Sequence, residues 1–221
     1  MGRALLRLRF RMFQRHRHER DVIERVADQP ILVMRQVMNP VLFMTGEFLA
    51  TTLSPRWIQP GARVLDLGTG TGVCAVFAAR WARSVVAVDV EPAAVRCARI
   101  NVLLHQLEDR VEVREGDLFA PVRGERFDVV LFNPPYLSGR PATAFERALR
   151  SEDVIERFAA GLAEHLAENG IAVVLLSSVA EEAAHLERFR SHGFVVDAIA
   201  RRVVMAEVLT VHRLRAGGPP S

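Results

Sequence analysis

The sequence predicts an α/β fold: a doubly wound, mostly parallel seven-stranded sheet with an antiparallel C-terminal hairpin. Three observations predict it. From Arg63 onward, short β-branched runs alternate with helical patterns, as parallel strands joined by right-handed crossovers require. The run Val129 to Phe132 does not alternate polar with apolar residues, so it reads as a strand buried on both faces. The last two apolar runs are separated only by Arg201-Arg202, and so short a connection joins antiparallel neighbours.

Residues 1–29 read as a basic arm that includes a helical stretch near Glu19 to Ala27, broken by Pro30. Residues 30–60 read as a segment covering a ligand site. In it Ile31 to Met38 is apolar, Asn39-Pro40 marks a turn, and Thr45 to Leu53 has helical spacing with Thr45 as candidate N-cap. The main domain is expected over 61–214. Its strands are Val64 to Leu67, Val85 to Val88, Val111 to Val113, Val129 to Phe132 and Ile171 to Leu176, then the hairpin of Phe194 to Ile199 and Val203 to Val211. Its helices are Gly72 to Trp81, Pro92 to His105, Asp153 to Ala167 and Ala180 to Ser191. Pro92 suits a first helical turn, and Asn169-Gly170 and Gly193 are helix-stop signals. Residues 215–221 read as a disordered tail.

Half of the 221 residues are hydrophobic, enough for one full core and too many for a disordered chain. No apolar run reaches about 18 residues, so no transmembrane segment is expected. Cys74 and Cys97 sit in apolar helical patterns and read as small buried thiols, which suits a reducing, cytoplasmic location. The net charge is +3, and every one of the 29 basic residues is arginine. Seven of them, Arg3, Arg7, Arg9, Arg11, Arg15, Arg17 and Arg20, fall in the first twenty residues. With Leu5, Leu6, Leu8, Phe10, Met12 and Phe13 between them, this segment could meet RNA, an anionic surface or a partner. The histidines are scattered without metal-ligand spacing, and no metal is expected.

Four motifs carry chemistry. The first strand runs into Asp66-Leu67-Gly68-Thr69-Gly70-Thr71-Gly72. Glycines there let the backbone turn tightly and a ligand approach closely. Val73 stands where a dinucleotide fingerprint has its third glycine, and no Gly-Lys-Ser/Thr follows, so dehydrogenase and NTPase readings fail. The loop suits a nucleoside without a pyrophosphate, and Asp66 could meet an amino group. Asp89 ends the second strand about 20 residues after the glycines, where a carboxylate can accept two ribose hydroxyls. Asp117 follows the third strand and could accept from an adenine amine. Asn133-Pro134-Pro135-Tyr136 follows the fourth. The prolines stiffen an extended loop that offers an amide, a backbone carbonyl and an aromatic face to a planar group bearing an NH2.

Together these motifs follow successive strands at one sheet edge. That arrangement resembles the class I S-adenosylmethionine-dependent methyltransferases, with their Rossmann-like fold, over residues 61 to about 213. Asn-Pro-Pro-Tyr resembles the subset methylating planar nitrogens, and the sequence looks most like its HemK-like group. The run Asp-Val-Val-Leu-Phe-Asn-Pro-Pro-Tyr, the loop to Glu146-Arg147-Ala148, the helix from Val154 and Glu207 before the last strand carry the likeness. By this resemblance the cofactor is S-adenosyl-L-methionine, with S-adenosyl-L-homocysteine as product. Asp66, Gly68 and Gly70 would hold its methionine end, Asp89 the ribose, and Asp117 with Leu118 the adenine, with Thr69, Gly72, Val90 and Asn133 as further cofactor-binding residues. Asn133, Pro134, Pro135 and Tyr136 would orient the target nitrogen. Thr45 and Glu47, in the covering segment, are candidate cofactor contacts.

About 60 residues precede the glycine loop, so the chain resembles the short single-domain relatives, some of which work with a small partner subunit. The expected function is N-methylation of a protein glutamine amide. The alternatives are methylation of an RNA or DNA base amine, which the arginine-rich arm favours, and a cofactor-binding partner subunit without turnover.

Overall fold

The computed structural model describes residues 20–135, 153–204 and 207–217. Within them the chain opens with a hairpin of β1 (Val22–Val26) and β2 (Gln29–Val33). Next come α1 (Thr45–Thr52), β3 (Arg63–Leu67), α2 (Val73–Ala78), β4 (Ser84–Asp89), α3 (Pro92–Leu104), β5 (Val111–Glu115) and β6 (Phe127–Phe132). Beyond residue 152 follow α4 (Val154–His165), β7 (Leu166–Ser177), α5 (Glu182–Ser191), β8 (Phe194–Val204) and β9 (Glu207–Ala216).

Seven strands form one sheet in the order β5-β4-β3-β6-β7-β9-β8. Neighbours from β5 to β7 are parallel, and β9 runs antiparallel between β7 and β8. The mixed sheet and its C-terminal hairpin are as the sequence predicts. The chain winds outward from β3 through β4 to β5, then returns to lay β6 on the other side of β3. Strand order therefore reverses between β3 and β6, and ligands of open α/β sheets bind beyond the strand ends at such a reversal.

The strands are apolar on both faces because both are covered. Val64, Leu131, Val173 and Leu175 pack with Leu49 of α1 and Phe77 of α2. Leu65, Leu67, Val130 and Phe132 pack with Phe158 and Leu162 of α4 and Phe189 of α5. Phe132 stacks on Phe158 with ring centroids 4.4 Å apart, which anchors the end of β6. Burying each such side chain contributes about 1.5–3 kcal/mol.

Several local expectations are corrected. Of the expected helical stretch Glu19 to Ala27, the described residues 20–27 are not helical: Val22 to Val26 alternates in burial and pairs with β2 around a turn at Ala27-Asp28. Pro30 does not interrupt this hairpin, because alternate residues of β2 direct their backbone groups away from β1. Pro30 and Leu32 turn theirs toward α3, where the missing N–H of proline breaks no ladder bond. The hairpin of β8 and β9 does not turn at Arg201-Arg202, which pair with Thr210 and Leu209 inside a ladder that runs on to Val204 and Glu207. Asn169-Gly170 is not a helix stop but part of a bulge in β7, where the register to β6 jumps from Phe127/Leu166 to Val129/Ile171. Asn169 takes the bend with a left-handed φ of 63°. Finally, α2 starts at Val73, since Gly72 has φ 81° and stands outside the helix. The arginines of residues 1–19, the loop from Tyr136 through Glu146-Arg147-Ala148, and residues 218–221 lie outside the described residues, whereas Arg215 and Ala216 of the tail expected over 215–221 are not disordered but pair in β9, where the ladder to β7 and β8 continues.

Candidate active site

A cleft of about 590 Å³ opens where β3, β4, β5 and β6 end, a size that suits a nucleoside-sized ligand. Its floor is the loop after β3. Thr69 N–H donates to Val88 O at 3.0 Å and Gly72 N–H to Thr69 O at 2.8 Å, which curls the loop against β4. Gly68 and Gly70 have φ of 63° and 57°, conformations that side-chain-bearing residues rarely adopt. A Cβ on Gly68 would meet nothing within 4 Å, whereas one on Gly72 would lie 3.1 Å from Ala98 Cα. The loop thus presses on α3 with one glycine and leaves side-chain volume open at another.

Two carboxylates flank it. Asp66 is 3% exposed and accepts the Thr69 hydroxyl at 2.5 Å. Burial pushes its carboxyl up to about 7; the Thr69 bond opposes this and the neighbouring Asp89 adds to it. Asp89 Oδ2 accepts Gly70 N–H at 2.8 Å and Oδ1 accepts Glu91 N–H at 3.0 Å. Burial raises its carboxyl as well, against these backbone donors. Each oxygen of a carboxylate has a second lone pair, so Asp89 can still accept two vicinal hydroxyls.

The end of β5 is tied to that of β4 by Gly116 N–H donating to Asp89 O at 2.9 Å. Asp117 and Leu118 follow and line the cleft with Val90. Leu118 is held at φ 45°, a conformation costing about 1–2 kcal/mol in a residue other than glycine. Asp117 Oδ2 accepts Arg157 Nη1 at 2.5 Å.

Asn133 stands one residue past β6. Its Nδ2 donates to Thr45 Oγ1 at 3.3 Å, and its Oδ1 is buried without a hydrogen-bond partner among the described residues. Thr45 is therefore no N-cap: Met44 holds that position with φ 61°, and Thr45 is the first residue of α1. Its hydroxyl serves the site through Asn133.

Another wall comes from the segment between β2 and α1, which supplies Gln36, Val37, Met38 and Pro40, and from Gly46 of α1. Asn39 folds it. Its Oδ1 accepts Val41 and Leu42 N–H, each at 3.0 Å, and its Nδ2 donates to Glu24 of β1 at 2.9 Å. The hairpin is fixed in turn by α3. Asn101, fully buried, accepts Leu32 N–H at 2.8 Å and donates to Leu32 O at 2.7 Å and Thr71 O at 2.8 Å. Cys97 and His105, one turn to either side, bond to Leu32 O and Pro30 O.

Of the residues singled out from sequence, Asp66, Gly68, Thr69, Gly70, Asp89, Val90, Asp117, Leu118, Asn133 and Pro135 meet at the cleft. Thr45, Glu47, Gly72 and Pro134 are not among its lining residues. Tyr136 lies outside the described residues. Sequence reasoning did not single out Arg157, Asn101 or the Asn39–Glu24 pair. A signal for Asn101 exists: Cys97, Asn101 and His105 recur every four residues, a stripe of hydrogen-bonding side chains on one helix face. Among the described residues no group of three or more His, Cys, Asp or Glu could hold a metal ion, and no helix is long and apolar enough to cross a membrane.

Known proteins share this arrangement. A Methanocaldococcus jannaschii protein provisionally named a protein N5-glutamine methyltransferase is 34% identical over 157 residues, which is 67% of this chain and 78% of that one. A release factor glutamine methyltransferase of Cereibacter sphaeroides is 37% identical over 148 residues, and the chain spans only 52% of its length. The solved E. cuniculi Mtq2–Trm112 complex, responsible for methylation of the eRF1 translation termination factor, shares the fold with a TM-score of 0.64 at 22% identity, over 82% of this chain and 99% of that one. The profile of the methyltransferase small domain matches residues 44–201, a span that holds the glycine loop, both acidic strand ends and Asn133, and the chain belongs to that family.

Proposed function

We propose that the chain transfers a methyl group from S-adenosyl-L-methionine to the side-chain amide nitrogen of a glutamine in a protein, leaving S-adenosyl-L-homocysteine. The observation that carries this reading is Asn133 Oδ1, a buried acceptor beside the cleft that has no partner among the described residues. Buried polar atoms are nearly always paired, so an acceptor held empty there calls for a donor on a ligand. An amide NH2 is such a donor, and relatives named for glutamine methylation support this substrate class.

The cleft fits the cofactor. Gly68 and Gly70 offer backbone and open volume, Asp66 a carboxylate for the amino group, Asp89 acceptors for the ribose hydroxyls, and Asp117 an acceptor for the adenine amine. When bound, the cofactor supplies a methyl already activated on a sulfonium. The protein's task is then placement, which contributes about 7–11 kcal/mol when reacting atoms are aligned. An amide nitrogen is a weak nucleophile because its lone pair is delocalised. Asn133 Oδ1 and the Pro134 carbonyl, accepting its two hydrogens, favour a more pyramidal nitrogen and stabilise the positive charge that develops on it. Thr45 keeps the Asn133 oxygen turned toward the substrate. The nitrogen loses its proton after the transfer, when its acidity has risen.

The same pair of acceptors would hold the exocyclic amine of an RNA or DNA base, and the arginine-rich first twenty residues favour that second reading through phosphate contacts. A small partner subunit belongs to the proposal, since Mtq2 is solved with Trm112. A cytoplasmic location belongs to the proposal, and the free thiols of Cys74 and Cys97 suit it.

The test is methyl transfer from labelled S-adenosylmethionine to an RNA-depleted protein extract and, separately, to purified RNA and DNA, with wild type and Asn133→Ala. Label in a protein band that depends on Asn133 and maps to a glutamine supports the proposal. Label confined to nucleic acid replaces it with the base-amine reading. Cofactor binding without label in any of them removes both substrate classes for the chain acting alone.

A further inference from the structure

Arg157, in the first turn of α4, reaches two carboxylates. Its Nη1 donates to Asp117 Oδ2 at 2.5 Å and its Nε lies 3.1 Å from Asp153 Oδ2. The side chains are 44%, 51% and 64% exposed. Ion pairs this wet contribute little to stability, so holding the fold together does not account for a guanidinium shared between carboxylates. All three residues line the cleft, beside Gly116 and the strained Leu118. An aspartate in an exposed turn rotates freely unless something holds it. Here a planar, always charged fork does so, and such a fork fixes direction as well as distance.

We infer that Arg157 is a positioning residue that makes this end of the cleft selective for a 6-amino purine: it fixes Asp117 so that the carboxylate accepts from an exocyclic amine and rejects a 6-oxo group. The inference rests on the reading of the cleft as an S-adenosylmethionine site. A carboxylate can only accept. Held in place, it bonds a ring amine and repels a ring carbonyl. Released, it can swing away from the carbonyl or follow the N–H at the next ring position, and the discrimination is lost. Arg157 also joins this end of the cleft to the helix that follows the target loop, so Asp117 and the substrate side share one anchor.

The experiment is calorimetric titration of the full chain with S-adenosylhomocysteine and S-inosylhomocysteine, which differ in the 6-substituent and in the N1 proton that accompanies the 6-oxo group. It uses wild type, Arg157→Gln, Arg157→Lys and, as a surface-arginine control, Arg188→Gln. Wild type should prefer the adenosyl ligand by about thirtyfold, the scale of a hydrogen bond to a charged group. Arg157→Gln should bind S-adenosylhomocysteine within about tenfold of wild type while the preference falls to about threefold. Arg157→Lys should restore only part of the preference, because an ammonium is a point charge and not a fork. Arg188→Gln should keep it. An unchanged preference in Arg157→Gln overturns the inference, including the case in which both ligands weaken equally. If wild type binds neither ligand, the reading of the cleft itself fails, whatever Arg157 does.

Discussion

The Asn133 amide donates to the Thr45 hydroxyl across 3.3 Å, joining the end of β6 to the first turn of α1. That bond decides which end of the amide is spent on the protein, and it leaves the oxygen for the substrate. Asn133→Ala should lower turnover by about 10²–10³, the usual scale for losing one preorganised group at a developing charge. S-adenosylhomocysteine affinity should stay within a few-fold. Thr45→Val should lower turnover by about tenfold by unlocking the amide, and Thr45→Ser should restore it. Initial rates with calorimetric binding check this; wild-type turnover in Asn133→Ala would remove the residue from the reaction.

Asp89 bonds two backbone N–H groups as well as facing the cleft. Asp89→Ala leaves both donors without partners, at about 1–3 kcal/mol each if they stay dry. It should therefore weaken S-adenosylhomocysteine binding at least tenfold and also lower the melting temperature, visible by calorimetry and circular dichroism. Unchanged affinity would exclude Asp89 from the cofactor site.

Asp66 makes cofactor binding depend on pH. Its carboxyl is raised to about 7, so below that pH it is mostly protonated in the folded, ligand-free chain. Pairing with an ammonium needs the anion. Affinity should rise toward neutral pH, by up to about tenfold per unit below 7, and level off above it. The effect on folding has the same origin. A carboxyl whose folded value lies above its unfolded one favours the native state when protonated, and that contribution fades as pH climbs from about 4 to 7. Asp66→Asn should flatten both profiles. Titrations and urea melts from pH 5 to 8 measure them, and an identical binding slope in the variant would rule the residue out.

Asn101→Leu keeps the volume of a buried side chain, removes the Asn101 partner of Leu32 N–H and Thr71 O, and leaves Leu32 O with the Cys97 thiol. The expected loss is about 3 kcal/mol or more, read as a lower urea midpoint. Hydrogen exchange should quicken first in β1, β2 and the glycine loop. Exchange that quickens evenly along the chain would show that Asn101 has no special tie to the hairpin.

Much of this architecture was legible because each strand of the main sheet is an apolar run bounded by glycine, proline or charge. Asp66, Asp89, Asp117 and Asn133 were legible for a related reason: each stands at the end of such a run. What escaped was non-local. Val22–Val26 reads as a helix when Glu19, Arg20 and Asp21 are weighed beside it, and only Asn101 and Cys97, some 65–69 residues away, complete its partner β2. Arg157 meets Asp117 across 40 residues, and no local pattern marks one arginine among 29. The length of β8 escaped because two arginines resemble a loop, although Arg202 pairs with Leu209 and lies over the Phe48 ring at 4.5 Å.

The outward groups of β2 are answered by side chains of α3, with Leu32 and Asn101 separated by 69 residues. A lone two-stranded hairpin is marginal in water. During synthesis at 5–20 residues per second, the hairpin must wait about 4–14 seconds for its helix to be made. Of the described elements β1 and β2 thus leave the ribosome first but settle only once α3 follows, and the wall from Gln36 to Pro40 settles with them. The nascent chain acquires its ligand cleft only after α3 has been translated.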